Sequence, residues 1–202
     1  MIIPLTKLPA VRLIIKTIFM KRILATLFLV LAVTSVCEAR KTPSKARIQQ
    51  MVNDMRVEAR KSGIASEREA VVLPGIKVVS DSNIDYVSIG GAAMKMGMRL
   101  SGLTKEVPAI KGINSMLVVS YDDCPDHIKD LFNARMSNEL RGCELLMEAK
   151  ENGEKMSCYG TTSNDGETIS DIIMFVPDGG ALICFFGTIS ANDLADLVNS
   201  AM

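Results

Sequence analysis

The densest run of side chains able to do chemistry is Asp122-Asp123-Cys124-Pro125-Asp126-His127. Carboxylate, thiolate and imidazole all ligate divalent cations, zinc among them. The run stands where an apolar strand pattern meets the start of a helical one, a common place for a reactive group. Its spacing, however, matches no metal-binding signature. Asp and Pro are also what the first turn of a helix favours, for capping and for the positive end of the helix dipole. A structural cap therefore competes with a metal site made of Asp122, Asp123, Cys124 and His127. His127 is the single histidine, so any Ser-His-Asp or Cys-His arrangement has to use it. No serine or cysteine stands in a recognisable nucleophile setting. Two-carboxylate hydrolysis stays open in principle, yet nothing selects a pair among the 23 acidic residues. No catalytic residue and no cofactor is assigned.

Two further motifs carry chemical possibilities. Met94-Lys95-Met96-Gly97-Met98 sets thioethers at alternate positions, and soft sulfur ligands suit Cu(I). On a helix Met94 and Met98 share a face while Met96 points elsewhere, and methionine is also a good filler in a core short of aromatic rings. Gly90-Gly91 before a helix allows close approach of a phosphate, but the remaining glycines and the lysine of phosphate loops are missing.

The elements that position these groups follow from periodicity. Ile48, Met51, Val52, Met55 and Ala59 fall on one helical face, with Gly63 as the stop. Residues 62–69 read as a polar connector. Val71-Val72-Leu73 and Ile76-Lys77-Val78-Val79 read as strands around Pro74-Gly75. Tyr86-Val87-Ser88-Ile89 reads as a strand feeding a helix over residues 92–103, with Ala93, Met96, Leu100 and Leu103 on its inner face. Residues 113–121 form a strand whose Met116-Leu117-Val118-Val119 core predicts burial on both sides. A helix starting at Pro125 runs to about Leu140, with Ile128, Leu131, Phe132, Met136 and Leu140 inward and Gly142 at its end.

Residues 143–150, 155–162, 168–176 and 181–189 then read as four strands. The turns between them are Asn152-Gly153, Asp165-Gly166 and Asp178-Gly179, pairs that tolerate the positive φ angles of two-residue hairpins. A last helix opens at Ser190 with Asp193 in a capping-box position, and Leu194, Leu197 and Val198 dock it on the sheet. The pattern predicts an α+β fold: an antiparallel sheet with a C-terminal four-strand meander, covered by helices mainly on one face.

Composition and the N-terminus bound the function. The chain has 202 residues, 48% apolar, with 23 Lys+Arg against 23 Asp+Glu. That suffices for one core and lacks the basic excess of a nucleic-acid binder; with 4% aromatic residues, base-stacking platforms are scarce. Lys21-Arg22, the apolar stretch of residues 23–33, and Cys37-Glu38-Ala39 read as the three parts of a signal peptide cleaved after Ala39. Met20 directly before Lys21 offers an alternative start, which would leave residues 1–19 untranslated. Charges at Arg12, Lys16, Lys21 and Arg22 break the only candidate membrane span. Cys37 is a second-choice lipidation site, since Val36 fits a lipobox poorly. The domain division expected is a signal peptide over 1–39, a helix and linker over 40–70, and one α+β domain over 71–202.

Cys124, Cys143, Cys158 and Cys184 remain after cleavage. With two-residue turns, Cys158 pairs with Met147 on one side and Ile173 on the other, and Ile173 pairs with Cys184. The last two cysteines would then share a face at about 10 Å, two strands apart, beyond the ~7 Å limit for a bridge. Cys124 and Cys143 flank one helix, about 25 Å apart. Four buried thiols are expected rather than disulfides, unless tertiary contacts join Cys124 to Cys158 or Cys143 to Cys184.

Several of these segments carry a family resemblance. The block from Ile84 to Met96, the strand from Ile113 to Tyr121, and Leu145-Leu146-Met147-Glu148 with Asn152-Gly153-Glu154-Lys155 are among them. So are Ile172-Ile173-Met174-Phe175-Val176, the run from Ile183 to Ile189 with Gly187, and Asp193-Leu194. Together they resemble a family of exported Bacteroidetes proteins known as domain of unknown function 4252, over roughly residues 84–198. The resemblance implies export, a periplasmic or surface location and no agreed activity; Gly90-Gly91 departs from the Ser-Lys expected there. The leading expectation is an exported, non-enzymatic envelope domain acting through protein or small-ligand contacts. The alternatives are a copper or zinc binder, using Met94, Met96 and Met98 or the Asp122–His127 run, and an unrecognised periplasmic hydrolase.

Overall fold

Ser44 opens the first helix. Its extended backbone turns the hydroxyl onto the Arg47 N–H, 3.3 Å away, which satisfies one of the free donors at the helix start. This helix, α1 (Lys45–Lys61), buries Ile48, Met51, Val52, Met55 and Ala59 along one stripe and ends on Arg60 and Lys61, cations suited to the negative end of its dipole. Gly63, at φ 71°, terminates it. The computed structural model describes residues 40–63, 67–81, 83–101, 111–151 and 153–192. The expected signal peptide with Cys37, the helix beyond Asn192, Asn152, and the side chains of Met98, Leu100 and Leu103 lie outside the described residues.

The strands follow as β1 (Glu67–Leu73), β2 (Ile76–Asp81) and β3 (Ile84–Ile89), then helix α2 (Gly91–Ser101), β4 (Ile113–Ser120), helix α3 (Asp126–Leu140), and β5 (Glu144–Glu151), β6 (Glu154–Thr162), β7 (Thr168–Val176) and β8 (Ala181–Ser190). β1 therefore starts inside the stretch read as a connector. All eight strands join one antiparallel sheet in the order β1-β2-β3-β4-β8-β7-β6-β5. The C-terminal strands form the expected meander. A second meander, β1 to β4, mirrors it: each half opens with a helix and holds four strands in sequence order, the first half with α2 inserted between β3 and β4, and the closing strands β4 and β8 pair at the centre.

That pairing explains the fully apolar middle of β4. Leu117 and Val119 face α1 and α3 together with Tyr86, Ile173, Phe175, Leu182 and Cys184. Val118 faces the other way, with Met156, Cys158, Ile172, Met174 and Ile183. Met94 of α2 packs against this second cluster. α1 shares its core with the sheet rather than standing apart in a linker region. Among the described residues, no helix is long and apolar enough to cross a membrane.

Three expectations need correction. Cys158 lies opposite Met147 as expected but opposite Met174, not Ile173, while Ile173 does face Cys184. The two thiols therefore lie on opposite faces of the sheet. The cause is an irregularity: β7 carries one extra residue against Gly160, and Asp171 takes a positive φ of 52° there. A side chain at Gly160 would meet Leu146 Cδ1 at 2.6 Å and Ile169 Cγ2 at 3.0 Å, so a larger residue there would force these side chains to shift. Cys124, Cys143, Cys158 and Cys184 are all free thiols.

The second correction concerns the turns. Gly153 (φ 91°) does close a tight link between Glu151 and Glu154. The other two loops place positive φ at Gly166 and Gly180, not at Asp165 or Gly179. They are four-residue loops, closed by Gly166 N–H to Ser163 O (2.8 Å) and Gly180 N–H to Pro177 O (3.3 Å). The third is a matter of faces: Met96 is 61% and Leu131 36% exposed. α2 turns Met94 rather than Met96 inward, and α3 buries a narrower stripe of Ile128, Phe132, Met136 and Leu140.

Candidate functional site

The strand-to-helix junction after β4 gathers the Asp122–His127 run. Tyr121 anchors it. Its side chain is fully buried, its N–H donates to Gly180 O at 2.7 Å, and its ring meets Phe132 edge-on at 4.8 Å. The phenol donates to Asn133 Oδ1 at 2.7 Å, and Asn133 Nδ2 donates in turn to Pro177 O at 3.3 Å. This relay ties the end of β4, the body of α3 and the β7–β8 loop into one unit. Burial holds the Tyr121 hydroxyl well above the usual phenol range, so it stays a donor.

The flanking groups separate. Cys124 is buried, and its Sγ donates to Asn83 O at 3.3 Å, across to the β2–β3 turn. Burial pushes its thiol up to about 11, with the Asp123 carboxylate adding and the Lys129 ammonium opposing. It is thus a protonated donor at neutral pH rather than a thiolate. Asp122, Asp123 and His127 are exposed. Lys129 Nζ reaches Asp122 O at 3.2 Å and Asp126 Oδ1 at 3.5 Å. Pro125 supplies the N-cap of α3 without a side-chain cap bond; its carbonyl accepts from Ile128 and Lys129. Asp126 stands in the first turn, as the dipole favours.

The methionine run also divides: Met94 enters the second apolar cluster and Met96 points to solvent. At the glycine pair, Gly90 N–H donates to Gly75 O at 2.6 Å, and a side chain at Gly75 would strike Ala93 Cβ at 2.9 Å. The pair seats the β1–β2 turn against the start of α2. Among the described residues, no three His, Cys, Asp or Glu side chains gather as a metal site would require.

Asn133, Asn83, Pro177 and Gly180 complete this junction and were not legible as partners. Each is polar or turn-forming in its own sequence context, and only the fold brings them to Tyr121 and Cys124. The one available signal was Gly179-Gly180, a doubled glycine beyond what a simple hairpin needs.

Fold and junction together define an α+β domain whose single antiparallel sheet joins two meanders, with its most polar cluster built into the end of a central strand. The family described as domain of unknown function DUF4252 matches residues 79–197, more than half of the chain, and the chain belongs to that family. Neither the curated proteins nor the solved structures gave a match.

Proposed function

We propose that this chain is an exported cell-envelope domain, of the kind its resemblance to Bacteroidetes proteins suggests, and that it works without catalysis through contacts with a protein or small ligand. One observation supports the non-catalytic part of this reading above others. At the β4–α3 junction the buried reactive groups are committed to the fold, Cys124 to Asn83 and Tyr121 to Asn133, while Asp122, Asp123 and His127 stand on the surface. A protein purified from fractionated cells without added metal tests it. The expected result is recovery outside the cytoplasm with far less than one equivalent of copper or zinc. Recovery from the cytoplasm would contradict export. Stoichiometric metal would restore the reading in which Met94, Met96 and Met98, or Asp122, Asp123, Cys124 and His127, are ligands.

A further inference from the structure

Where the leader ends, the chain is held by the fold. Arg40 pairs with Cys143 in a parallel bridge, and its backbone N–H donates to Gly142 O at 2.7 Å. Gly142 lies just past the C-terminal end of α3, at φ 80°, and its Cα side faces Arg40 closely enough that an added Cβ would lie 3.9 Å from Arg40 Cβ. Cys143 Sγ donates to Lys41 O at 3.5 Å, and Thr42 is buried to 9% exposure. The Arg40 guanidinium lies 3.9 Å from the Glu139 carboxylate, which also binds Arg47 of α1. The residue after the expected cleavage point is thus fixed by backbone pairing on one side and a carboxylate on the other.

We infer that this is a processing site with a built seat for its product: removal of the leader creates an α-ammonium at Arg40 that stays on Gly142 O at the negative end of α3. The inference rests on the export reading above. Hydrolysis of the Ala39–Arg40 bond by a signal peptidase consumes one water, leaves a carboxylate on Ala39 and an ammonium on Arg40. The donor at Gly142 O changes from an amide to a cation, and a charge-assisted hydrogen bond replaces a neutral one. The last turn of a helix favours a positive group. The charged and titratable groups around this seat are the guanidinium of Arg40 itself, Glu139 and Arg47, and the Cys143 thiol, which burial holds above its ordinary range.

The test compares two preparations of residues 40–202, which carry every described element. One begins with a free Arg40 amine and the other with an acetylated one. The free form should melt about 2–4 °C higher near pH 6. A seated ammonium has a raised pKa, so its contribution is complete below the ordinary α-amino value of about 7.7–8.0 and fades as pH rises through the folded value. The gap should therefore close toward about pH 10. Cys143 titrates beside the seat, so the comparison is repeated with Cys143→Ser in both forms. Equal melting temperatures at both pH values overturn the seat, whatever happens in cells. Intact-mass analysis of the protein from cells addresses the other half: a terminus at Arg40 supports the inference, a terminus at another leader residue overturns it while leaving export standing, and an uncleaved leader overturns the export reading even if the melting gap is present.

Discussion

Replacing Tyr121 by Phe removes one oxygen from a fully buried side chain and nothing else from the packing, since the edge-on contact with Phe132 is kept. The lost bond is the 2.7 Å donation to Asn133 Oδ1. A neutral hydrogen bond contributes about 0.5–1.5 kcal/mol net, and a buried acceptor left alone costs about 1–3 kcal/mol. Asn133 is only partly buried, so water can replace part of the loss, and Tyr121→Phe should cost about 1–2 kcal/mol. Asn133→Ala should cost more, because it also removes the 3.3 Å bond to Pro177 O that holds the β7–β8 loop. Urea unfolding at equilibrium measures both, with unchanged slopes as the sign that the denatured state is unaffected. The double variant should cost less than the sum of the two single ones, because the Tyr–Asn bond is lost once. A Tyr121→Phe cost within a few tenths of a kcal/mol of zero, or strict additivity, would refute the relay as a stabilising unit.

Three further outcomes follow from the same fold. Gly180→Ala combines a φ of 54° with a Cβ placed 2.5 Å from the Asp122 backbone, so it should destabilise by well over about 1 kcal/mol and yield little soluble protein. In the native chain starting at Arg40, Cys143, the one of the four thiols that is not buried, should react first with an aromatic disulfide reagent. Cys124 and Cys158, pushed up by burial to about 11 and about 12, should react with Cys184 only on unfolding, and fast labelling of Cys158 or Cys184 would contradict the two-faced core. The Arg47 guanidinium bonded to it holds the Glu139 carboxyl below its ordinary value. A depressed carboxyl adds stability above the ordinary value that is lost as pH falls through the folded one. The melting-temperature gap between wild type and Glu139→Gln should therefore shrink on acidification below about pH 4.3.

How much of this was legible depended on whether neighbouring residues alone decide the outcome. The buried stripe of α1 was readable in full because its apolar residues recur at helical spacing and its other faces are polar. β4 was readable as a central strand because no strand with one wet face carries Met-Leu-Val-Val. The faces of α2 were not, since Lys95 and Arg99 mark one polar face while Met94 and Met96 flank it on either side, and periodicity cannot choose between them. The slip at Cys158 came from a bulge. Gly160 inside a strand hinted at it, but the extra residue is Asp171 on the neighbouring strand, and a pairing count made from turns alone cannot register an insertion in mid-strand. The Tyr121–Asn133–Pro177 relay spans three elements and leaves no local trace. Nor does the mirrored order of the two meanders, which depends on β4 choosing β8.

That choice is the central structural claim, and it can be tested with two substitutions. Leu117 of β4 lies directly opposite Cys184 of β8. Directly opposed residues in an antiparallel pair have Cα atoms about 4.5–5.5 Å apart, within reach of a disulfide. Leu117→Cys, unfolded, refolded in the presence of an oxidant and mapped by peptide mass, should yield a 117–184 bridge, while Val118→Cys, whose side chain faces the other side of the sheet, should not. Failure of Leu117→Cys to bridge Cys184 in folded protein, or equal bridging from position 118, would contradict the joined sheet.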